Sequence, residues 1–350
     1  MHEVDFLPVE STGATASKCG DAIAVRFTYE QEDRKAVIVI DGGYSDIGDD
    51  LKDHIKKYYG TDIINLVVST HPDADHINGL KRLIEQTTVC KLMIHRPRRH
   101  ITSVSQFSNI EAVDNLLKLA NQRDIPVVEP FEGAQEFGGQ LTILGPTEEY
   151  YTELVKQHLE EEASGKAGDR RQAHGTKAIS LASRALDKVL SWMPVETLTD
   201  EGETGPRNDS SAIALLEVDG RRLLFTGDAG MPALERAADY YEYIHLGPFS
   251  SYPLSFFQAP HHGSKHNVGR TILNRMLGQR GQPYQDLCGF ISSAKTCDDH
   301  PSPKVSNALK RRGCRVALTE GKKIWHHHNA PERYDYSPIP QVDWLEEDDD

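Results

Sequence analysis

The stretch Thr70-His71-Pro72-Asp73-Ala74-Asp75-His76 concentrates four potential metal ligands in six residues. It follows an apolar, β-branched run at 63–69 and leads into 74–86, where apolar residues recur at helical spacing. A short loop between a strand and a helix can direct several side chains at one point. A pair of hydrolytic metal ions requires shared carboxylates and flanking imidazoles, which this mixture of Asp and His supplies. The stretch therefore predicts a metal site at a strand-to-helix junction.

Strand and helix patterns continue on both sides of this stretch. Predicted strands cover 4–9, 22–29, 35–40, 63–69, 89–95, 127–131 and 140–144, and predicted helices cover 51–59, 74–86 and 110–121. Later predicted strands cover 211–218, 221–226, 254–259, 287–292 and 315–319, with helices at 232–240 and 303–312. Two β-rich halves, each followed by helices, predict an α/β fold of the αββα type, a two-sheet sandwich covered by helices. We expect one domain at residues 1–345.

Residues 148–207 interrupt the alternating pattern. Helical stretches rich in Glu, Lys, Arg and Ala, at 150–162 and 177–192, surround a Gly- and Arg-rich middle. We interpret this part as a mostly helical insertion, which could form a lid over a site or contact a protein partner. The acidic residues 346–350 predict a disordered tail.

Composition restricts the setting in which the protein works. The chain has 350 residues and 38% hydrophobic content, and its apolar runs are far shorter than the roughly 20 residues of a membrane-spanning helix. The N-terminus lacks the pattern of a secretory signal, and the five cysteines are scattered, which predicts reduced thiols and a cytoplasmic protein without membrane contact. The net charge of −14 disfavours a general nucleic-acid-coating role but does not exclude a nuclease.

Further blocks of polar residues follow the predicted strands in a fixed order. They are Asp41-Gly42-Gly43, Asn208-Asp209-Ser210-Ser211, Gly227-Asp228, Pro260-His261-His262-Gly263-Ser264 and His300-Pro301. With residues 71–76, which match H-x-[HD]-x-D-H, they resemble the ordered motifs of the metallo-β-lactamase superfamily. The soluble hydrolase domain of the ComEC-like branch is resembled by Gly20-Asp21-Ala22 before a strand, Asp73 at the second ligand position, Asn208-x-Ser210-Ser211, the His-His-Gly-Ser block and His300-Pro301. The resemblance covers most of the chain outside residues 148–207.

The resemblance implies a centre with two divalent metal ions. In such a centre His71 and Asp73 would hold one ion, Asp75 and His76 would hold the other, and Asp228 would bridge both. Each of these residue types is an established ligand of hydrolytic metals.

His261 or His262 would complete the second site. Neighbouring side chains on an extended strand point in opposite directions, so we expect one of the two to be a ligand and the other to orient the substrate or donate a proton. This reasoning leaves the choice between them open. Asp41, Asn208 and Ser210 are expected to support the ligands through hydrogen bonds from outside the centre.

One block departs from the family pattern. The third motif usually provides another imidazole for the first metal, but residues 208–211 contain none. With Asp73 already in place of a histidine, the first site becomes rich in oxygen ligands, which shifts the preference from zinc towards manganese or magnesium and keeps zinc as a candidate. His174 is a substitute ligand in one interpretation and a solvated loop residue in the other.

Accessory residues complete the predicted chemistry. Arg96, Arg98 and Arg99 follow a predicted strand and could hold phosphate oxygens through paired hydrogen bonds. His300 could protonate a leaving oxygen, which makes it a candidate catalytic residue together with Asp75 and His262.

The leading functional prediction is a hydrolase that cleaves phosphodiester bonds by a metal-bound hydroxide, with nucleic acid as the first candidate substrate. A second prediction keeps the site but assigns a small phosphoester, such as a phosphocholine, a cyclic nucleotide or a lipid head group. A third is a non-catalytic, metal-binding regulatory module whose insertion contacts a protein. β-Lactam hydrolysis is disfavoured, because Asp73 stands where lactamases use histidine.

Overall fold

Two mixed β-sheets face each other at the centre of the protein. The computed structural model describes residues 1–10, 18–101, 107, 109–164, 196–297, 299–337 and 342–347. Within these residues each of the two large sheets has seven strands, and two short strand pairs stand apart from them.

The first sheet has the strand order β18-β1-β2-β3-β5-β7-β8. Its strands are β1 (His2–Phe6), β2 (Ala22–Tyr29), β3 (Arg34–Gly42), β5 (Leu66–Val68), β7 (Leu92–Met93), β8 (Val127–Val128) and β18 (Ile324–His328). Pairing is antiparallel from β18 to β3 and parallel from β3 to β8. The short strands β4 (Ile63–Ile64) and β6 (Thr88–Val89) pair with each other beside it.

The second sheet has the order β17-β16-β13-β12-β11-β10-β9. Its strands are β9 (Gln135–Glu136), β10 (Leu141–Gly145), β11 (Ile213–Val218), β12 (Arg221–Phe225), β13 (Phe256–Gln258), β16 (Leu287–Ile291) and β17 (Cys314–Leu318). Pairing is parallel from β12 to β17 and antiparallel from β9 to β12. The short strands β14 (Gly278–Gln279) and β15 (Gln282–Pro283) form a separate pair.

Helices cover the outer faces of both sheets. They are α1 (Ile47–His54), α2 (Ala74–Gln86), α3 (Pro97–His100), α4 (Ile110–Gln122), α5 (Glu148–Ala163), α6 (Pro206–Asp209), α7 (Met231–His245), α8 (Arg270–Leu277) and α9 (Pro303–Arg311). A π-helical turn at Ile55–Tyr59 extends α1, and 3-10 turns occupy Phe137–Gly139 and His261–Gly263.

Three apolar layers stabilise this arrangement. One layer packs α1, α2 and α4 against the first sheet, one lies between the sheets, and one packs α7, α8 and α9 against the second sheet. The expected driving force for this packing is the burial of alternate strand residues on both faces of the sheets and of one stripe of each helix. The predicted αββα fold is confirmed.

The parallel halves of the sheets place the functional blocks at one end of the sandwich. In open sheets of this kind, sites form beyond the carboxyl ends of parallel strands. Strand β3 ends at Asp41-Gly42, β5 leads into residues 69–76, β12 leads into Gly227-Asp228, and β13 leads into the turn at His261–Gly263. The order of strands therefore brings together blocks that are far apart in the sequence.

A pair of glycines lets helix α2 approach the end of β3 closely. A Cβ atom at Gly79 would lie 2.0 Å from the carbonyl oxygen of Gly42 and 2.7 Å from that of Tyr44. The Gly79 amide donates a hydrogen bond of 2.9 Å to the carbonyl of Gly43. This contact fixes the first turn of α2, which carries Asp75 and His76, against the end of the sheet.

The predicted insertion and tail are described only in part. Helices α5 and α6 lie at the two ends of residues 148–207, whereas the predicted helix at 177–192 and His174 lie outside the described residues, so the insertion stays a prediction. Within the predicted tail, the carboxylate of Glu347 accepts hydrogen bonds from Thr197 and Asn307, and the disorder of the tail stays a prediction. Residues 348–350 are also outside the description.

No helix among the described residues combines the length and apolar character needed to cross a bilayer.

Candidate metal centre

Asp228 lies at the centre of the cluster of histidines and aspartates. Its carboxylate is buried, and its two oxygens face different imidazoles. Asp228 Oδ1 is 3.4 Å from His76 Nε2, while Oδ2 is 3.6 Å from His71 Nε2 and 3.6 Å from His261 Nε2. A carboxylate in this position can be shared between two cations, as the sequence predicted for Asp228.

Residues 208–211 provide no imidazole for the first metal, and His261 is placed to supply one instead. Its Nε2 and that of His71 approach the same oxygen of Asp228. The prediction of an extended strand at this point is wrong, because His261 and His262 lie in a 3-10 turn with φ angles of 47° and 56°. The argument that only one of them can face the centre fails with it, and both rings point inward.

A second group of predicted ligands comprises Asp75, His76 and His262. His262 Nε2 is 3.8 Å from Asp75 Oδ2, and the rings of His262 and His76 are 5.4 Å apart. Donor atoms of Asp75, His76 and His262 all lie within 4.8 Å of one another, as do those of Asp21, Asp228 and His262. Both sets have the size and composition of a metal-binding group.

Unpartnered polar atoms test whether these residues fit metal ions. Buried polar atoms in folded proteins are nearly always paired. Within the described residues, the buried atoms of the cluster without a hydrogen-bond partner include four that face its interior: His71 Nε2, His76 Nε2, His262 Nε2 and Asp228 Oδ1. Ligation would satisfy all four, so the residues fit a divalent metal pair. Their assignment as ligands stays a prediction.

Asp41 makes the contacts expected of a residue that orients the ligands. Its carboxylate accepts hydrogen bonds from the Thr70 amide at 2.8 Å and the Thr70 hydroxyl at 2.6 Å, and lies 2.8 Å from His76 Nδ1. This partner keeps the proton of His76 on Nδ1 and leaves Nε2 free towards Asp228. Asp41 itself has a φ of 56°, a left-handed conformation that non-glycine residues rarely adopt.

The support from the third-motif block differs from the prediction. Asn208 Nδ2 lies 3.3 Å from His261 Nδ1, as expected for a supporting residue. Ser210 instead donates to the carbonyl of Arg207 at 2.6 Å, and it is Ser211 whose hydroxyl accepts a hydrogen bond from the Asp228 amide.

Two buried supporting residues escaped the sequence analysis. Asn267 lies 2.9 Å from His261 Nδ1 through Oδ1 and donates from Nδ2 to the Asp228 carbonyl at 2.7 Å. Asp21 Oδ1 lies 3.9 Å from His262 Nδ1, and Gln258 donates to Asp21 Oδ2 at 2.8 Å. Asp21 was visible only as part of the Gly20-Asp21-Ala22 block, and no pattern distinguishes Asn267.

The predicted phosphate-binding arginines lie elsewhere. Arg98 pairs with Asp114 on α4 at 2.7 Å, and the Arg96 guanidinium lies 3.3 Å from Glu129. Within the described residues, neither these two nor Arg99 donates to a residue of the cluster. The guanidinium that does so is that of Arg207, which pairs with Asp73 and was not predicted.

His300 lies at the edge of the cluster. Its ring is 5.3 Å from that of His261 and 6.3 Å from that of His262. Burial, reinforced by the charge of His261, lowers the pKa of His300 to about 4, so its imidazole is neutral at pH 7.

The pKa values within the cluster diverge in the way expected of coupled buried groups. Burial and the neighbouring His76 hold the pKa of His71 well below its usual value. Burial disfavours a charged His76 as well, but Asp228 and Asp41 outweigh it and raise its pKa well above the usual value. Burial raises the pKa of Asp73 to about 6 despite Arg207. Such divergence is typical of functional sites.

The comparisons with known proteins agree with this fold. Residues 25–163 match the family model described as the metallo-beta-lactamase superfamily. Residues 25–163, less than half of the chain, are thus similar to this superfamily, whose members bind divalent metals. The described residues form two mixed sheets flanked by helices. The ComEC-like branch has no such support. None of the curated proteins matches the chain.

Three solved structures illustrate the similarity. A diphosphatase of the PhnP family is 12% identical over 95% of this chain and 100% of its own, with a TM-score of 0.39. A long-form RNase Z from yeast is 12% identical over 98% of this chain and 39% of its own, with a TM-score of 0.36. The superfamily protein ST1585 of Sulfolobus tokodaii is 18% identical over 77% of this chain and 83% of its own, with a TM-score of 0.28. Similarity at this level does not extend to activity.

Proposed function

We propose that this protein is a phosphodiesterase that works with two divalent metal ions. The observation that carries the proposal is the position of Asp228, whose two carboxylate oxygens face the nitrogens of different imidazoles. His71 and His261, with Asp73, would hold one ion. Asp75, His76 and His262 would hold the other. A purely structural metal site is closed and needs no shared carboxylate of this kind.

The chain's own residues prepare the centre for hydrolysis. When bound, two metal ions acidify a water molecule and neutralise charge on phosphate oxygens. Asp41 and Asn267 fix the rings of His76 and His261, so that both Nε2 atoms stay directed at Asp228. Such fixed geometry avoids the reorganisation that would otherwise add to the barrier. His300, beside His261 at the edge, can offer its N–H to the leaving oxygen.

Nucleic acid is the first substrate to test. The proposal follows the resemblance of the Gly20-Asp21-Ala22, His-His-Gly-Ser and His300-Pro301 blocks to the ComEC-like branch. A small phosphoester is the second candidate, because Arg207, at the end of the predicted insertion, contacts Asp73 of the cluster. Helix α5 would then belong to a cap that admits small molecules only.

The test is hydrolysis by the purified protein supplied with manganese, magnesium or zinc. The substrates are labelled single-stranded DNA, duplex DNA, RNA and bis-p-nitrophenyl phosphate, and the variants are Asp228→Ala and Asp75→Ala. Cleavage of a polymer that both substitutions abolish supports a nuclease. Cleavage of the small diester alone supports the second candidate. No turnover with any metal contradicts both and favours a regulatory module that binds metal without catalysis.

A further inference from the structure

Arg207 reaches from helix α6 to the carboxylate of Asp73. Its Nε lies 2.6 Å from Asp73 Oδ1, and its Nη2 donates to Asp73 Oδ2 at 3.0 Å. The two residues are 134 positions apart in the chain. The guanidinium thus faces both carboxylate oxygens, with a hydrogen bond to Oδ2 and an ion-pair contact to Oδ1. A guanidinium placed in this way can also bind two oxygens of a phosphate.

This ion pair borders the ligand cluster. Asp73 Oδ1 lies 3.8 Å from His71 Nε2, so one carboxylate separates the guanidinium from a predicted metal ligand. The positive charge of Arg207 is also among the causes that lower the pKa of His71. Within the described residues, Arg207 contacts the cluster, whereas Arg96 and Arg98 pair with carboxylates elsewhere.

Asp73 is the anchor of the Arg207 guanidinium among the described residues. Within the described part of the chain, its only hydrogen-bond and ion-pair partner is Asp73, and 28% of the side chain is exposed. Helix α6 is held by other contacts, since Asn208 meets His261 and Asp209 accepts a hydrogen bond from the Gly230 amide at 2.9 Å. Loss of the guanidinium would therefore leave the backbone at 206–209 in place.

We propose that Arg207 binds the phosphate group of the substrate and that Asp73 holds its guanidinium until the substrate arrives. Two oxygens of a phosphoester can replace those of Asp73 on the same fork. Asp73 is then available to the first metal, beside His71 and His261. This inference rests on the proposed phosphoester hydrolysis and names the residue that recognises the phosphate.

Opposite effects of Arg207→Ala on phosphate affinity and on metal affinity would distinguish this role from a structural one. Substitution of Arg207 by alanine removes the fork that holds phosphate, and it also removes a cation that competes with a metal for Asp73. Phosphate affinity should fall, whereas metal affinity should stay equal or rise. A residue that only held Asp73 in place would weaken both when lost.

The experiment compares the wild-type protein with Arg207→Ala, Arg207→Lys and Arg275→Ala. Arg275 is the matched control, because it makes a similar fork on Glu242, is 31% exposed, and lies on α8 away from the cluster. Calorimetry measures binding of manganese to the phosphate-free protein and then of inorganic phosphate to the manganese-loaded protein. KM and kcat are measured with bis-p-nitrophenyl phosphate.

We expect Arg207→Ala to weaken phosphate binding and raise KM about tenfold or more, in line with the loss of charged hydrogen bonds. Manganese affinity should not decrease. Arg207→Lys, which keeps the charge but loses the fork, should fall between alanine and wild type, and Arg275→Ala should equal wild type. Unchanged phosphate affinity in Arg207→Ala, or parallel loss of phosphate and manganese binding, would overturn the inference.

The two proposals fail in different ways. If the wild type turns over the diester, but neither phosphate affinity nor KM changes when Arg207 is substituted, only the role of Arg207 is contradicted. Phosphate binding that depends on Arg207, without turnover of any diester, would contradict the hydrolase and leave a phosphate-binding site.

Discussion

Strained backbone conformations coincide with the predicted metal centre at the residue scale. Asp41, His261 and His262 all have positive φ angles, between 47° and 56°. Each such conformation costs on the order of 1–3 kcal/mol and persists only where the surroundings enforce it. In this protein the strain turns both imidazoles of the His-His pair inward and places the Asp41 carboxylate under His76. The strained residues are therefore those that supply or orient the predicted ligands.

The first prediction concerns Asp41→Asn. The amide can accept hydrogen bonds through one oxygen only, whereas the carboxylate serves Thr70 through both oxygens and His76 through one. We expect manganese affinity to fall about 10- to 100-fold, as is usual when an outer partner of a ligand is lost. Calorimetric titration measures this, with Asp114→Asn on α4 as the control. Equal affinities for Asp41→Asn and the control would contradict the supporting role.

At the element scale, the loops after parallel strands carry the predicted ligands, and the packing of helices on those strands sets their positions. Helix α2 is the clearest case, because its first turn holds Asp75 and His76 while its middle touches the end of β3 through Gly79. The geometry of the cluster therefore depends on a contact that involves no ligand.

The second prediction concerns Gly79→Ala. The added methyl group would meet the carbonyl oxygen of Gly42 at 2.0 Å, and backbone atoms cannot move aside cheaply. We expect a loss of about 1–3 kcal/mol in the free energy of unfolding, typical of overpacking, although alanine favours helix. Urea denaturation measures the loss. Gly205→Ala, where nothing lies within 4 Å of the new methyl, should cost about 1 kcal/mol or less. Equal stability of the two variants would contradict the close-packing account.

Local patterns in the sequence predicted most elements. The helix at 74–86 is observed with the same bounds, and the hairpin at 211–226 differs by two residues at its start and one at its end. The turn at His261–Gly263 was misjudged because a left-handed pair of histidines has no sequence signature. Contacts such as Arg207 to Asp73 and Gln258 to Asp21 join residues 134 and 237 positions apart, which a pattern read along the chain cannot detect.

At the scale of the whole molecule, a second polar cluster ties residues 331–336 to the outer face of the first sheet. Arg333 pairs with Glu3 at 2.8 Å and with Asp5 at 2.6 Å, and its guanidinium lies over the rings of Tyr58 and Trp325. Both carboxylates are fully buried. Buried charges of this kind are tolerated only while they are paired.

The third prediction concerns Arg333→Ala. Removal of one partner leaves Glu3 and Asp5 buried near fewer cations, which typically costs about 3–5 kcal/mol. Burial opposes ionisation of Asp5, but His54 and Arg333 outweigh it and lower its pKa. Because folding lowers the pKa of Asp5, its ionised carboxylate stabilises the fold at pH values above the ordinary pKa of about 3.9. This contribution is lost as the pH falls below that value.

Thermal unfolding at pH 7, 5 and 3.5 tests that prediction. The difference between wild type and Arg333→Ala should be large at pH 7 and 5 and smaller at pH 3.5. A difference that does not change with pH would show that Arg333 acts through packing on the aromatic rings and not through its charge.

The most direct measurement of the central claim is the metal content of the manganese-loaded protein, determined by mass spectrometry after removal of free metal. We predict two ions per chain in the wild type and fewer in Asp228→Ala, because both oxygens of Asp228 face imidazoles of the predicted ligands. The control is Asp114→Ala on the surface of α4, which should retain both ions. A wild-type protein that binds no metal, or an Asp228→Ala variant that retains two ions, would contradict a centre shared through Asp228.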